Sequence, residues 1–206
     1  IVLNPVDSKT IGPAIRKANE AGIPVFTCDL RCTDPEAKVV THIATDNFQG
    51  GRLAGTAMVG LLGETGGQVL VLDLPSAASC VLRVQGFQQV VDEHNAAHDD
   101  KQIVVVAKFG SKGQKERGYA ITMDALEQHP EIDAIFAIND PAALGAYQAL
   151  VKADRTNEIQ ILGFDGQLEA KQAIKDGKIF ADPIQFPDRM GRMTMAAILR
   201  FFAGEE

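Results

Sequence analysis

Five polar side chains stand where buried segments of the sequence end, and their types suit the binding of several hydroxyl groups. Four lie at or just after the ends of predicted strands and one lies in the first turns of a predicted helix: Asp29, Asn139, Asp165, Gln185 and Arg83. Carboxylates accept hydrogen bonds, arginine donates them in a fixed fork, and side-chain amides do both. A site that binds the several hydroxyl groups of a small polyol needs this mixture of donors and acceptors. Each residue alone could simply cap the next helix, but five together favour a binding site.

Parallel strands must position these residues, because continuous apolar runs alternate with helix-period segments throughout the chain. The predicted strands cover residues 1–4, 24–29, 39–44, 68–74, 103–107, 134–138, 159–163 and 179–184. The predicted helices cover residues 9–21, 48–62, 79–95, 114–128, 141–153, 168–175 and 188–202. Ligands of open α/β sheets bind beyond the carboxyl ends of the strands. We therefore expect a doubly wound α/β fold with the five residues at that edge.

Two details of the predicted helices depend on single side chains. Ser8 is predicted to cap the first helix, because a serine hydroxyl can accept a hydrogen bond from a helical N–H. The last helix is predicted to bury Met190, Met193, Ala197 and Phe201, which recur at helical spacing.

The composition argues against several classes of function. The formal net charge of -7 disfavours binding to a phosphate backbone. No apolar run approaches the roughly 18 residues of a membrane span. The phosphate-binding motif G-x-x-x-x-G-K-[ST] and the nucleophile motif G-x-S-x-G are both missing from the sequence. We therefore expect no nucleic-acid partner, no membrane insertion, no cofactor and no enzymatic activity.

Cysteines and histidines leave alternatives open. Cys28 and Cys32 could form a disulfide across a turn or remain buried thiols, and Cys80 stands apart from both. His94 and His98 have the i,i+4 spacing that metal ligands can have, but they fall where a predicted helix ends among polar residues. We therefore expect no metal site.

A series of short motifs runs in order through the whole chain. The motifs are Asn4-Pro-Val-Asp-Ser8, Gly22-Ile-Pro-Val25 before Asp29, His42-Ile-Ala-Thr-Asp46-Asn47 with Gly50-Gly51, Gly86-Phe-Gln-Gln89, Phe136-Ala-Ile-Asn139-Asp140 with Ala143-Leu-Gly-Ala146, Gly163-Phe-Asp-Gly166, and Asp176-Gly-Lys-Ile179 before Gln185 and Pro187. Each motif alone is modest, but the ordered set is specific. Together they resemble the sugar-binding proteins of ABC transporters, of the ribose-binding type.

The resemblance implies a type I periplasmic-binding-protein fold, in which two α/β lobes are joined by a hinge. Residues 1–43 and 186–206 would belong to the N-terminal lobe and residues 44–185 to the C-terminal lobe. The chain would begin at the third strand of the first lobe, about 60 residues into such a domain. The final strands of the fold would also lie outside these 206 residues.

The resemblance also implies a function. The protein would be a periplasmic or extracytoplasmic receptor, a monomer that binds a monosaccharide between its lobes and delivers it by hinge closure to a membrane permease. Carried over position by position, the sugar ligands would be the same five residues found above. The carboxylates of Asp29 and Asp165 would accept hydrogen bonds from hydroxyls, and Arg83 would donate to the ring oxygen or a hydroxyl.

Two positions depart from the ribose-binding pattern, so the ligand need not be ribose. Leu30 stands where that type has arginine, and Gly113 stands where it has an aromatic ring. A second hypothesis is the effector-binding core of a LacI-type transcription regulator, which shares the fold and would need a helix-turn-helix ahead of this chain. An enzyme on a doubly wound sheet is a third class, since fold alone does not determine function.

Overall fold

The computed structural model describes residues 1–205 of the chain, which fold as two compact units. The first unit comprises Ile1–Asn47, Pro75–Ser79 and the described residues from Phe186 onward. The second unit comprises Phe48–Leu74 and Cys80–Gln185. The first unit is therefore assembled from three separate stretches of the sequence.

Strands and helices alternate along the described residues. In chain order they are β1 Val2–Leu3, α1 Gly12–Glu20, β2 Phe26–Cys28, β3 Thr41–Ile43, α2 Asn47–Leu62, β4 Gly67–Asp73, α3 Ala78–Ala97, β5 Ile103–Gly110, α4 Lys115–Gln128, β6 Ile132–Ala137, α5 Asp140–Ala153, β7 Gln160–Leu162, α6 Leu168–Lys175 and α7 Pro187–Ala203. All predicted helices are present, and so are all but one of the predicted strands. The predicted α/β fold class is confirmed.

In the first unit, three short parallel strands pair in the order β1-β2-β3. Val2 lies opposite Phe26, which in turn lies opposite Thr41. Helix α1 contributes the fully buried Ile15 to an apolar cluster with Val25, which precedes β2. Helix α7 packs on β2 and β3.

The prediction that Ser8 caps α1 is wrong. The residue at the N-cap of α1 is Ile11, which makes no side-chain cap. The Ser8 hydroxyl instead accepts a hydrogen bond at 3.0 Å from the N–H of Ala78, the first residue of α3. Because the first N–H groups of a helix have no intrahelical partner, Ser8 acts as a cap for a helix 70 residues further along the chain.

The predicted buried face of α7 is confirmed at its beginning only. Met190 is buried, as is Thr194 one turn later, and Ala197 is half-buried. Met193 is 56% exposed and Phe201 is 42% exposed, which contradicts the prediction. The strands beneath this helix are only two or three residues long, so they cover a narrow strip of it.

In the second unit, four parallel strands pair in the order β5-β4-β6-β7. The predicted strand at residues 179–184 is reduced to two isolated parallel bridges, Leu162 with Ala181 and Asp165 with Ile184. Pro183 interrupts this segment, and a proline has no N–H to donate to a neighbouring strand. The segment nevertheless continues the sheet beyond β7, so its end lies at the same edge as the other strand ends.

Two glycines allow α2 and α3 to pack closely. A Cβ atom at Gly51 would lie 2.1 Å from the carbonyl oxygen of Arg83, and one at Gly86 would lie 2.1 Å from the carbonyl oxygen of Phe48. Both distances are far below van der Waals contact. These glycines therefore determine where α3 holds the side chain of Arg83.

We expect the variant Gly86→Ala to lower the free energy of unfolding by about 1–3 kcal/mol, because the new methyl group must push backbone apart. The matched control is Gly60→Ala, also in a helix, where a Cβ atom would meet nothing within 4 Å. That substitution should stabilise the protein by about 0.4–1 kcal/mol, because alanine lowers the conformational entropy of the unfolded chain. Denaturant titration of both variants measures the difference, and equal effects would contradict close packing at Gly86.

Candidate functional site

The side chain of Arg83 is the most firmly held of the five predicted site residues. Although charged, it is only 3% exposed. Its Nη1 atom donates to the carbonyl oxygen of Ile138 at 2.6 Å and to Oδ1 of Asp165 at 2.8 Å. The guanidinium carbon lies 3.8 Å from the centre of the Phe164 ring, in a cation–π arrangement. Helix α3 thus places this arginine against the ends of β6 and β7.

Asp165 joins two neighbouring segments of the second unit. Its N–H donates to the carbonyl oxygen of Pro183, and its own carbonyl oxygen accepts from the N–H of Gln185. Its Oδ1 atom accepts from Arg83 and, at 2.6 Å, from the side-chain amide of Gln185. With φ at 120°, Asp165 also has a backbone conformation that few residues other than glycine adopt. The hydrogen bonds of Asp165 therefore link three of the predicted site residues, with Asp165 between Arg83 and Gln185.

Asn139 performs the role of a helix cap. Its Oδ1 atom accepts from the N–H of Ala142 in the first turn of α5, and its Nδ2 atom donates to the carbonyl oxygen of Gly113. It directly follows Ile138, whose carbonyl oxygen accepts from Arg83. The side chain therefore stands at the same edge of the sheet, with both amide atoms oriented by the protein.

Asp29 belongs to the first unit, whereas the other four predicted residues belong to the second. It follows β2 with φ at 67°, a left-handed conformation that aspartate tolerates better than most residues. Its N–H donates to the carbonyl oxygen of Ile43 at 2.9 Å. The position of Asp29 at the end of β2 is thus determined by the backbone, and its side chain is half-buried.

Two buried carboxyl groups beside this cluster were not among the predicted residues. Asp140, the first residue of α5, is fully buried, and its Oδ2 atom accepts from the N–H of Gln167. Asp182 lies in the segment beside β7, and both its carboxyl oxygens are buried. An aspartate inside an otherwise apolar predicted strand was the signal that could have identified Asp182.

The environment of this pair opposes ionisation. Burial, then the charges of Asp182 and Asp165, raise the pKa of Asp140 to about 8. Burial likewise raises the pKa of Asp182 to about 6, and the charge of Asp165 adds to this. The N–H of Gln167 acts in the opposite direction on Asp140, as does Lys171 on Asp182.

The two departures from the ribose-binding pattern have structural consequences. Leu30 is 6% exposed, so its side chain is buried. Gly113 has φ at 64°, and a Cβ atom there would lie 2.8 Å from Nδ2 of Asn139. An aromatic side chain could not replace Gly113 without displacing that amide.

The structure also shows what the cysteines and the two closely spaced histidines contact. In the described part of the chain no disulfide joins the three cysteines, and Cys28 and Cys32 are half-buried. The rings of His94 and His98 stack with 4.4 Å between centroids, and each ring donates one hydrogen bond to a backbone carbonyl oxygen. Residues 1–205 contain no group of three or more His, Cys, Asp or Glu side chains that could hold a metal ion. Nor do they include a helix long and apolar enough to cross a membrane.

Comparison with known proteins agrees with this architecture along the whole chain. The family model of the periplasmic binding protein domain matches residues 1–206. The ribose import binding protein of Salmonella typhimurium is 34% identical over 206 residues, which cover 100% of this chain and 66% of that relative. This chain therefore spans slightly less than two thirds of the relative's length.

Two solved structures extend the comparison to three dimensions. An ABC transporter solute binding protein from Agrobacterium vitis, with bound D-fucose, is 30% identical with a TM-score of 0.87, and the match covers 100% of this chain and 69% of that one. A periplasmic solute binding protein from Actinobacillus succinogenes, with bound D-allose, is 27% identical with a TM-score of 0.87, and the match covers 100% of this chain and 71% of that one.

Proposed function

The chain belongs to the periplasmic binding protein family, and from this premise we propose that it binds a monosaccharide as part of an extracytoplasmic receptor of an ABC importer. Relatives with this role include a ribose import binding protein and solute binding proteins holding D-allose or D-fucose. Binding and release of an unaltered sugar would then be the whole chemistry, without catalysis or a cofactor.

The observation that carries the proposal is the hydrogen-bonded cluster of Arg83, Asp165 and Gln185 at the carboxyl ends of the strands. These groups are oriented by the protein before any ligand arrives, and donors fixed in advance lose little freedom on binding. In our proposal Asp165 accepts from a sugar hydroxyl, Arg83 donates to the ring oxygen or a hydroxyl, and Gln185 does either. Asn139 and Asp29 complete the set from the neighbouring strand end and from the first unit.

We further propose that the two units are the lobes of a hinged receptor, divided near residues 44–46 and 185–186. A sugar that contacts residues of both lobes has a higher affinity for the closed form, and this difference shifts the population toward closure. The closed form would then be the one that a membrane permease recognises. The receptor would act as a monomer.

The sugar need not be ribose. Leu30 offers no guanidinium at a position where the ribose-binding type has one, and Gly113 offers no ring to stack on a sugar face. Both changes remove contacts that the ribose-binding type would offer a pentose. A hexose or a related polyol is therefore a reasonable first candidate alongside ribose.

The proposal is tested by thermal unfolding of the chain with a panel of pentoses, hexoses and polyols, including ribose, allose and fucose. A ligand at a hundred times its dissociation constant should raise the free energy of unfolding by about 2.7 kcal/mol. For a protein of this size that corresponds to a rise in the midpoint temperature of roughly 5–10 °C.

Phosphorylated sugars serve as the control, because the regulator hypothesis predicts a phosphorylated effector. A clear shift with one free sugar would support the receptor and identify its substrate class. The proposal would be contradicted if only sugar phosphates raised the midpoint temperature, or if no compound in the panel raised it.

A further inference from the structure

Two carboxyl groups meet beneath the candidate site, in the interior of the second unit. Asp140 begins α5, immediately after Asn139, and Asp182 lies three residues before Gln185. Both carboxyls face the backbone of Gly163. A Cβ atom placed on that glycine would lie 3.1 Å from Oδ1 of Asp140 and 3.5 Å from Oδ1 of Asp182. The missing side chain at Gly163 is what lets the two groups approach.

The hydrogen bonds of this pair are incomplete if both carboxyls are ionised. The N–H of Gln167 satisfies Oδ2 of Asp140 at 2.7 Å. Oδ1 of Asp140 and both carboxyl oxygens of Asp182 are buried, and no N–H or O–H group of the described residues forms a hydrogen bond with them. A hydrogen bond between the two side chains forms only when one carboxyl carries a proton and donates it to the other, and it then satisfies one oxygen of each carboxyl.

Electrostatics favour the same protonation state. Two buried carboxylates side by side cannot both ionise without a large desolvation and repulsion penalty. The carboxylate of Asp165 faces the pair and makes a second negative charge there less favourable. Lys171 on α6 places a positive charge toward Asp182, but this lysine is exposed to solvent. The N–H of Gly166 also lies near Asp182, without forming a hydrogen bond to it.

We propose that Asp140 and Asp182 share one proton at neutral pH, and that this hydrogen-bonded acid pair holds together the three segments carrying Asn139, Asp165 and Gln185. The two residues are positioning residues. They sit beneath the predicted sugar ligands and tie the start of α5 to the segment beside β7.

The shared proton makes stability depend on pH in a definite direction. The folded pair binds a proton that the unfolded chain releases at the ordinary pKa of aspartate, 3.8. The folded state therefore holds more protons, and the free energy of unfolding falls as the pH rises from about 4 to about 8. Above that range the pair is ionised and contributes no further change.

Sugar affinity should follow the same titration. When the proton leaves, a second buried negative charge repels Asp165 and the segment that carries Gln185. This part of the inference rests on the proposed sugar-binding function, whereas the pH dependence of unfolding does not.

The test uses the full chain with Asp182→Asn and, as a second variant, Asp140→Asn. In each variant an amide replaces the acid without changing its shape, and its N–H can donate permanently to the remaining carboxylate. The matched control is Asp124→Asn on α4, an exposed aspartate in the same unit. Midpoint temperatures are measured from pH 5 to pH 9, and the affinity for the sugar found in the panel is measured at pH 6 and pH 9.

We expect the midpoint temperature of the parent and of the control to fall between pH 5 and pH 8, and that of both variants to change much less. At pH 9 the variants should be more stable than the parent. The dissociation constant of the parent should rise about tenfold between pH 6 and pH 9, the factor that corresponds to one pKa unit. That of Asp182→Asn should change less than about twofold. An infrared band of a protonated carboxyl at pH 7 in the parent, lost in Asp182→Asn, would support the shared proton directly.

Other outcomes would overturn the proposal. A variant with the same pH slope as the parent would show that the pair does not bind the proton. Stabilisation of the parent at pH 8 by Ca²⁺ or Mg²⁺, reversed by a chelator, would show that a cation occupies the pair instead. If no sugar binds at all, the proposed function fails, but the unfolding measurements still decide whether the proton is shared.

Discussion

Replacing Arg83 by alanine is expected to lower the affinity for the sugar by about 100-fold. Hydrogen bonds to charged groups contribute about 1.5–3 kcal/mol each, and 2.7 kcal/mol corresponds to about a factor of 100 in the dissociation constant. The substitution also removes the guanidinium that donates to Oδ1 of Asp165, close to the acid pair of Asp140 and Asp182. Removing one partner of a buried ion pair destabilises a protein by about 3–5 kcal/mol, so unfolding should be measured together with affinity.

Arg52→Ala is the matched control for this experiment. Arg52 lies on α2 of the same unit and forms an ion pair with Glu93 at 3.1 Å, with both side chains accessible to solvent. Exposed pairs of this kind contribute about 0–1 kcal/mol, and we expect sugar affinity to remain unchanged. Calorimetric titration of both variants measures the contrast. An Arg83→Ala protein that folds and binds sugar as the parent does would remove Arg83 from the site.

The second large effect is expected at Phe164, whose ring is fully buried beneath the guanidinium of Arg83. A Cβ atom at Gly50 would lie 2.5 Å from this ring, so the ring also fills the space against α2. Phe164→Ala removes both the packing and the surface on which Arg83 rests. We expect it to lower the free energy of unfolding by about 3–5 kcal/mol, as for other buried aromatic residues.

Phe164→Leu separates packing from the cation–π contact. It retains most of the buried volume and should cost less than about 1.5 kcal/mol of stability. It should still weaken sugar binding, because Arg83 no longer rests on an aromatic face, and such contacts contribute about 2 kcal/mol when desolvated. Denaturant titration and calorimetry check the two effects. If Phe164→Leu binds sugar as tightly as the parent, the ring serves packing alone.

The fold could be predicted because its signals are local. Continuous apolar runs of strand length identify β4 and β6, and α6 begins and ends at the residues that the sequence predicts. The predictions that failed concern residues whose contacts lie far away in the sequence. Ser8 serves a helix 70 residues away, and nothing in its own neighbourhood indicates this. The last predicted strand is reduced to two isolated bridges because Pro183 has no N–H to donate to a neighbouring strand. A pattern of apolar residues alone does not reveal this.

The site was predictable as a set of positions but not as a set of contacts. Strand ends meet at one edge of a parallel sheet, so the residues that follow them could be chosen from the sequence alone. The contact between Arg83 and Asp165 joins residues 82 positions apart, and it depends on close helix packing at Gly51 and Gly86. The acid pair was missed because no signal in the sequence brings Asp140 and Asp182 together at Gly163.

The division of the first unit among three stretches of sequence has a consequence for biosynthesis. The second unit is complete once residue 185 leaves the ribosome, and a domain can fold as soon as it has emerged. The first unit must wait for α7, since Phe26 and Phe201 pack edge to face with the entire second unit synthesised between them. Until then β2 and β3 lack the helix that covers them. Apolar surface that is exposed during folding favours aggregation, so the first unit is the vulnerable part of the molecule while it is being made.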